Sequence, residues 1–155
     1  MGRGFDSRRE RQVFMQKFLA TSVALRNKAV LIQGNAGAGK TFLTLRLIAD
    51  HGAQLISDDV TNLQVQDGIL YAEPVSEIAG QIEVRGIGIV QKPFAEHVPV
   101  ACLVQLTDAS AERMPEDKKI NIAGVQIPFF TFDSNFVYND LQVIEAINYL
   151  EQRDK

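Results

Sequence analysis

Cysteine is almost missing from this sequence: 155 residues contain one, Cys102. No intrachain disulfide can form, and a reducing, intracellular home is the simplest reading. Cys102 lies inside the apolar run "VPVACLVQL" and reads as a small core residue. No apolar stretch approaches the roughly 20 residues that a membrane-spanning helix needs. The opening "MGRGFDSRRERQVF" has arginines but lacks the apolar centre of a secretory signal. An excess of positive charge is absent as well. The formal charge of −3 gives no electrostatic case for nucleic acid or an anionic membrane as partner. Repeats, low-complexity tracts and proline- or serine-rich linkers are also wanting, so residues 1–155 read as one domain of a soluble, cytoplasmic protein. Residues 1–12 are expected to fray, because Arg3, Arg8, Arg9 and Arg11 alternate with Asp6 and Glu10.

What the chain does have is core material. Hydrophobic residues make up 46% and charged residues 23%, the balance of an ordinary globular domain. "KFLATSVAL" and "KAVLIQG" are β-rich runs separated by "RN" and read as a hairpin whose second strand enters a glycine-rich turn. The period then changes. "KTFLTLRLIADHG" predicts a buried helix closed by Gly52, and "AQLISDDV" predicts a strand ending in two aspartates. "TNLQVQDGILYAEP" predicts a hairpin turning at Asp67-Gly68, and "KINIAGVQIPFFTF" another at Ala123-Gly124. Between them, "VPVACLVQL" predicts a long strand followed by the polar loop "TDASAERMPEDKK". Leu141, Ile144, Ile147 and Leu150, at a spacing of three, predict a closing amphipathic helix. The fold class expected is α/β, with a β-rich mixed sheet, one helix after the glycine-rich turn and one at the C-terminus.

"GNAGAGKT", residues Gly34, Asn35, Ala36, Gly37, Ala38, Gly39, Lys40 and Thr41, matches the phosphate-binding pattern G-x-x-x-x-G-K-[ST] without a gap. The glycines let backbone N–H groups converge on phosphate oxygens, and the helix that follows aims its positive dipole end at them. Lys40 is suited to neutralise the β and γ phosphates of ATP, and the Thr41 hydroxyl to ligate Mg²⁺. A dinucleotide fingerprint is a poorer fit, since Gly37 and Gly39 supply only a fragment of G-x-G-x-x-G.

Asp58 and Asp59 fall at the carboxyl end of the next expected strand, where open α/β sheets place their ligands. Successive side chains point to opposite sides, which suits one carboxylate to Mg²⁺ and the other to taking a proton from an attacking hydroxyl. "QIEVRGIGIV" reads as a half-buried strand with Ile82 and Val84 inward and Glu83 and Arg85 outward. A carboxylate for metal and a guanidinium for phosphate are what a phosphoryl-transfer site still needs, and Gly86 and Gly88 let the backbone bend close to a ligand. His51 and His97 read as structural, His51 by favouring the end of its helix.

Taken together, "GNAGAGKT", "GAQLISDDV" and "AGQIEVRGIGIV" resemble HPr kinase/phosphorylase, over roughly residues 17–130. The resemblance implies a P-loop kinase domain of the phosphoenolpyruvate carboxykinase-like type, assembly as a homo-hexamer, and use of ATP, or pyrophosphate in some members, to phosphorylate a serine of the phosphocarrier HPr. It also implies removal of that phosphate by phosphorolysis. By the same resemblance, Asp59 is the base in the kinase direction, Asp58 is its partner, Glu83 acts at the metal and Arg85 serves the phosphorylase reaction. Three departures accompany it. Nothing in this sequence reads as the regulatory N-terminal domain of longer members, so a short, catalytic-domain-only form is expected; the family histidine aligns with about Leu19; and "FDSNFVYNDLQ" stands where the family often has a loop bearing arginine. These losses open a second reading, a nucleotide-sensing module with little transfer, and a third, a kinase acting on another phosphocarrier or a small hydroxyl compound.

Overall fold

The computed structural model describes residues 15–108 and 117–154. In chain order these form β1 (Met15–Phe18), β2 (Thr21–Leu25), β3 (Lys28–Gly34), α1 (Lys40–His51), β4 (Gln54–Ser57), β5 (Thr61–Gln66), β6 (Ile69–Glu73), a short 3-10 turn at Ser76–Ile78, β7 (Gln81–Val84), β8 (Gly88–Gln91), β9 (Val98–Thr107), β10 (Lys118–Ile122), β11 (Val125–Asp133) and α2 (Asn139–Arg153). The expected fraying of residues 1–12 and most of the polar loop after β9 lie outside the described residues.

The two most apolar runs become the centre of the sheet. β3 and β9 pair in parallel, and both faces of each are covered, as continuous apolar strands require. Val30, Ile32, Cys102 and Val104 face one core with Leu43 and Leu47 of α1 and Val143 and Ile147 of α2. Ala29, Leu31 and Leu103 face the other, with Leu63 and Leu70 of the β5–β6 hairpin and Ile122 and Ile127 of β10 and β11. One edge of β9 belongs to β3. Its other edge is shared: β6 pairs antiparallel near Val98, and β11 pairs in parallel from Leu103 to Thr107. The nine-stranded mixed sheet therefore runs β1-β5-β6-β9-β3-β2-β4, with β11 and β10 added beside the end of β9.

The fold is the expected α/β type, and several local signals are met. Gly52 adopts φ 74°, and the N–H groups of Gly52 and Ala53 both bond the Leu47 carbonyl, ending α1 with a Schellman-like cap. Three expectations need correction. "KFLATSVAL" is two strands rather than one, because the chain breaks at Leu19-Ala20: β1 pairs with β5, while β2 pairs with β3 and β4. "QIEVRGIGIV" is a hairpin, β7–β8, and Arg85 has left the strand for the turn. In α2 the inward face is Val143, Ala146 and Ile147, with Leu141 49% exposed. A spacing of three slips about 60° per step on a 100° helix, so residues nine apart reach opposite sides.

The helices are joined through one acid. Asp140, 3% exposed, accepts from His51 Nε2 at 2.9 Å and lies 3.2 Å from the Arg46 guanidinium, both on α1. Burial pushes this carboxyl up, but the His51 hydrogen bond and the Arg46 charge outweigh it and hold Asp140 below the ordinary carboxylate range. Arg46 also donates to the Val137 carbonyl in the loop before α2. His51 thus has a structural role as expected, through a specific carboxylate rather than the helix dipole. His97 likewise holds Glu73 and stacks on Tyr71 with ring centroids 4.0 Å apart.

Candidate active site

β2 runs antiparallel to both β3 and β4, so β3 and β4 point the same way and end at the same edge of the sheet. Gly34 closes β3 and Ser57 closes β4, and each strand hands the chain to a functional loop at that edge. Residues 34–41 follow the first strand and Asp58-Asp59 the second. Of the aspartate pair, Asp59 comes to the glycine-rich loop at the carboxyl ends of the strands, where Gly34, Asn35, Lys40 and Asp59 line a cavity of about 420 Å³, and Asp58 lies behind it.

The loop is built for close approach. A Cβ on Gly34 would stand 3.0 Å from the Ala38 Cβ and 3.1 Å from the Leu106 carbonyl oxygen, so a side chain there would force the loop and β9 apart by a few tenths of an ångström. Ala38 N–H bonds the Asn35 carbonyl at 2.9 Å, and Gly37 and Gly39 take left-handed φ values of 83° and 96°. Gly39 caps α1 without a side-chain hydrogen bond, and no acidic residue occupies the first turn, which suits the N-terminal N–H groups to an anion. The Lys40 ammonium donates to the Gly34 carbonyl at 2.6 Å and so lies folded over its own loop. Ala36, Gly37, Ala38 and Gly39 complete the turn and Thr41 lies in the first turn of α1, none of them lining the cavity wall.

The two aspartates take different environments, as adjacent residues should. Asp59 is exposed, with the left-handed φ of 65°. Asp58 is 8% exposed and accepts two hydrogen bonds, from the Thr21 hydroxyl at 3.3 Å and from the Glu83 backbone N–H at 3.2 Å. Burial raises the Asp58 carboxyl above its ordinary value; the Glu83 N–H opposes this, and the neighbouring charge of Asp59 adds to it.

Glu83 therefore touches Asp58 by its backbone, while its side chain and that of Arg85 are exposed. The β7–β8 hairpin that carries them is held through Ile82 and Val84, which pack with Leu55 of β4 beside Leu45 and Ile48 of α1. Among the described residues Arg85 makes no ion pair, and no three of His, Cys, Asp and Glu converge as a ready-made metal cage. Sequence reasoning missed Thr21, which lines the cavity and bonds both aspartates; within "LATSVAL" nothing marks it apart from its strand neighbours. Leu19, where the resemblance set the family histidine, sits at the cavity with 75% exposure. The loop that lacks arginine presents Phe136, Val137 and Tyr138 to solvent instead.

Comparison with known proteins agrees with this architecture. A family model described as the HPr Serine kinase C-terminal domain matches residues 15–153. An HPr kinase/phosphorylase of Streptococcus sanguinis (strain SK36) is 31% identical over 135 residues, covering 77% of this chain and 43% of that protein. One of Streptococcus thermophilus (strain ATCC BAA-491 / LMD-9) is 32% identical over the same shares. The chain thus spans less than half the length of these curated relatives. A solved structure, the Hpr(Ser) kinase/phosphatase from Coxiella burnetii, superposes with a TM-score of 0.77 at 26% identity, over 89% of this chain and 97% of that one.

Proposed function

The chain belongs to the HPr Serine kinase C-terminal domain family, and from that premise we propose that it is an ATP-dependent kinase that phosphorylates a serine of an HPr-type phosphocarrier. The observation that carries the reading is the common cavity of Lys40, the first residues of the phosphate loop and Asp59. In the forward direction the backbone N–H groups of residues 34–41 hold the phosphates of ATP, and Lys40 leaves the Gly34 carbonyl to bind the β and γ oxygens. Asp59 accepts the proton of the serine hydroxyl as its oxygen bonds to the γ-phosphorus and ADP departs. The exposed position of Asp59 suits it to meet a protein-borne hydroxyl, whereas Asp58, buried behind it, does not reach a substrate directly.

Thr41, Asp58 and Glu83 are the residues that would hold Mg²⁺, and an oxygen-only set of few protein ligands fits an ion that keeps several waters and substrate phosphates in its shell. Bound there, the ion neutralises charge on the transferring group. The same reading assigns the exposed Arg85 to phosphorolysis, in which inorganic phosphate attacks the phosphorus of phosphoserine, pyrophosphate forms and the released serine oxygen takes a proton from Asp59. A hexameric assembly and a cytoplasmic location belong to the same reading; no helix among the described residues is long and apolar enough to cross a membrane. The exposed Leu19 and the arginine-free loop at 133–138 favour the second reading, a nucleotide sensor with little transfer. Incubation with Mg-ATP and purified HPr, followed by mass spectrometry of the carrier, separates the two. A mass gain of one phosphate, lost in Asp59→Asn, is expected. Folded protein that binds ATP yet leaves the carrier unmodified overturns the HPr-kinase reading, and if it also fails to turn ATP over with other phosphocarriers or small hydroxyl compounds, the sensor reading stands.

A further inference from the structure

We propose that Thr21 is a positioning residue for phosphoryl transfer, its buried hydroxyl fixing Asp58 and Asp59 relative to each other and to the phosphate loop. The inference rests on the kinase reading. Thr21 is 1% exposed, and its hydroxyl has two partners: it donates to Asp58 Oδ1 at 3.3 Å and accepts the Asp59 backbone N–H at 3.1 Å. A hydroxyl has a single proton, so this donation fixes its rotor and leaves a lone pair for the amide. One side chain therefore sets a carboxylate plane and a backbone position at once. The second Asp58 oxygen is taken by Glu83 N–H at 3.2 Å, which completes the orientation of that carboxylate.

The location of Thr21 gives the contact its purpose. It opposes Ile32 across the β2–β3 ladder, two residues before Gly34, so the bond ties the aspartate turn to the strand beside the phosphate loop. Asp59 at φ 65° occupies a backbone region that a non-glycine residue holds only where its surroundings fix it. The attachment of the turn to β2 does not depend on Thr21 alone. Thr61 donates to the Ala20 carbonyl at 2.8 Å, which leaves Ser22 as the donor in the 2.7 Å bond between Ser22 and Thr61. Those bonds survive when Thr21 loses its hydroxyl. The turn stays docked while the aspartates lose their alignment, and a displacement of this kind acts on transfer more than on nucleotide binding.

The test compares Thr21→Val, which keeps the shape and removes the hydroxyl, with Thr21→Ser, which keeps the hydroxyl, in steady-state phosphorylation of HPr by Mg-ATP, with kcat expressed per folded molecule. In Thr21→Val kcat is expected to fall roughly 10- to 100-fold with KM for ATP changed less than about twofold, and Thr21→Ser is expected to remain within about threefold of the parent. A role in stability alone would lower the melting temperature and the folded fraction while leaving kcat per folded molecule intact; that result overturns the inference. So does a Thr21→Ser variant as slow as Thr21→Val. Should Thr21→Val fail to fold, Thr21→Ala and Thr21→Ser give the same comparison. Absence of transfer by the parent chain overturns the kinase reading and this inference with it, whereas an active parent matched by Thr21→Val overturns the inference alone.

Discussion

Replacing Asp140 by asparagine isolates the link between α1 and α2. The side chain is 4% exposed, and its partners differ in how much they can contribute. The Arg46 side chain is 45% exposed, so its contact is worth at most about 1 kcal/mol after solvent screening. The His51 hydrogen bond, 2.9 Å long and on a side chain 20% exposed, gains about 1.5–3 kcal/mol from the carboxylate charge. Asparagine keeps the shape, retains an acceptor for His51 and is spared the cost of burying a charge, so the net loss expected is about 1–2 kcal/mol. For a domain of this size that lowers the melting temperature by about 2–8 °C. The pH dependence follows from the lowered folded pKa. A carboxylate whose folded pKa is depressed contributes its stability above the unfolded value, about 3.9, and loses it as pH falls through the folded value. Urea midpoints of parent and Asp140→Asn should therefore differ at pH 5, begin to approach one another below about pH 4 and meet once pH falls below the lowered folded pKa. Equal midpoints at pH 5, or a difference that persists or widens in acid, would refute this account of the buried acid.

Gly34→Ala should destabilise the protein by about 1–3 kcal/mol in urea titrations, because the Leu106 carbonyl 3.1 Å from the new Cβ is backbone and cannot swing away. An unchanged midpoint would mean the loop does not pack on β9 as described. Cys102, fully buried with its thiol pushed up to about 12 by that burial, should resist a thiol reagent at pH 8 in the native protein and react on unfolding; rapid native labelling would contradict its core position. Arg85→Ala should leave stability within about 0.5 kcal/mol, since the side chain is exposed and makes no ion pair among the described residues, while phosphorolysis declines. Unchanged transfer and phosphorolysis would remove Arg85 from the site.

The parts of the fold legible in the sequence are those whose cause is local. Asp67-Gly68 turns with φ values of 52° and 79°, and Ala123-Gly124 with 53° and 86°, the paired left-handed conformations of a tight hairpin. The phosphate loop and the cap at Gly52 are local in the same sense. What no short window contains is partner choice. The sharing of one β9 edge between β6 and β11 joins segments far apart in the chain, and β1 passes over its neighbour β2 to pair with β5. Thr21 belongs to this class, since its meaning lies in residues 37 and 38 positions away.

"QIEVRGIGIV" was legible in half of its length, and the limit falls where the backbone changes hand. Alternation holds through Val84: Ile82 and Val84 are buried, and Glu83 points outward. It fails at Arg85, because Gly86 at φ 87° and Gly88 at φ 122° reverse the chain and pair Val84 with Gly88. The glycines, read as letting a strand bend close to a ligand, are where that strand ends. The reversal alters what Arg85 can do. On a strand its guanidinium would share a face with the Glu83 carboxylate; on a turn it is released from that neighbour and projects from a two-stranded hairpin outside the main sheet. The hairpin is held along β7 up to the turn, by Ile82 and Val84 against Leu55 and by the Glu83 N–H on Asp58. Arg85 directly follows the buried Val84, so its backbone starts from a fixed point while its exposed side chain stays unpaired among the described residues; under the kinase reading this suits a step in which the substrate arrives on another protein and completes the site.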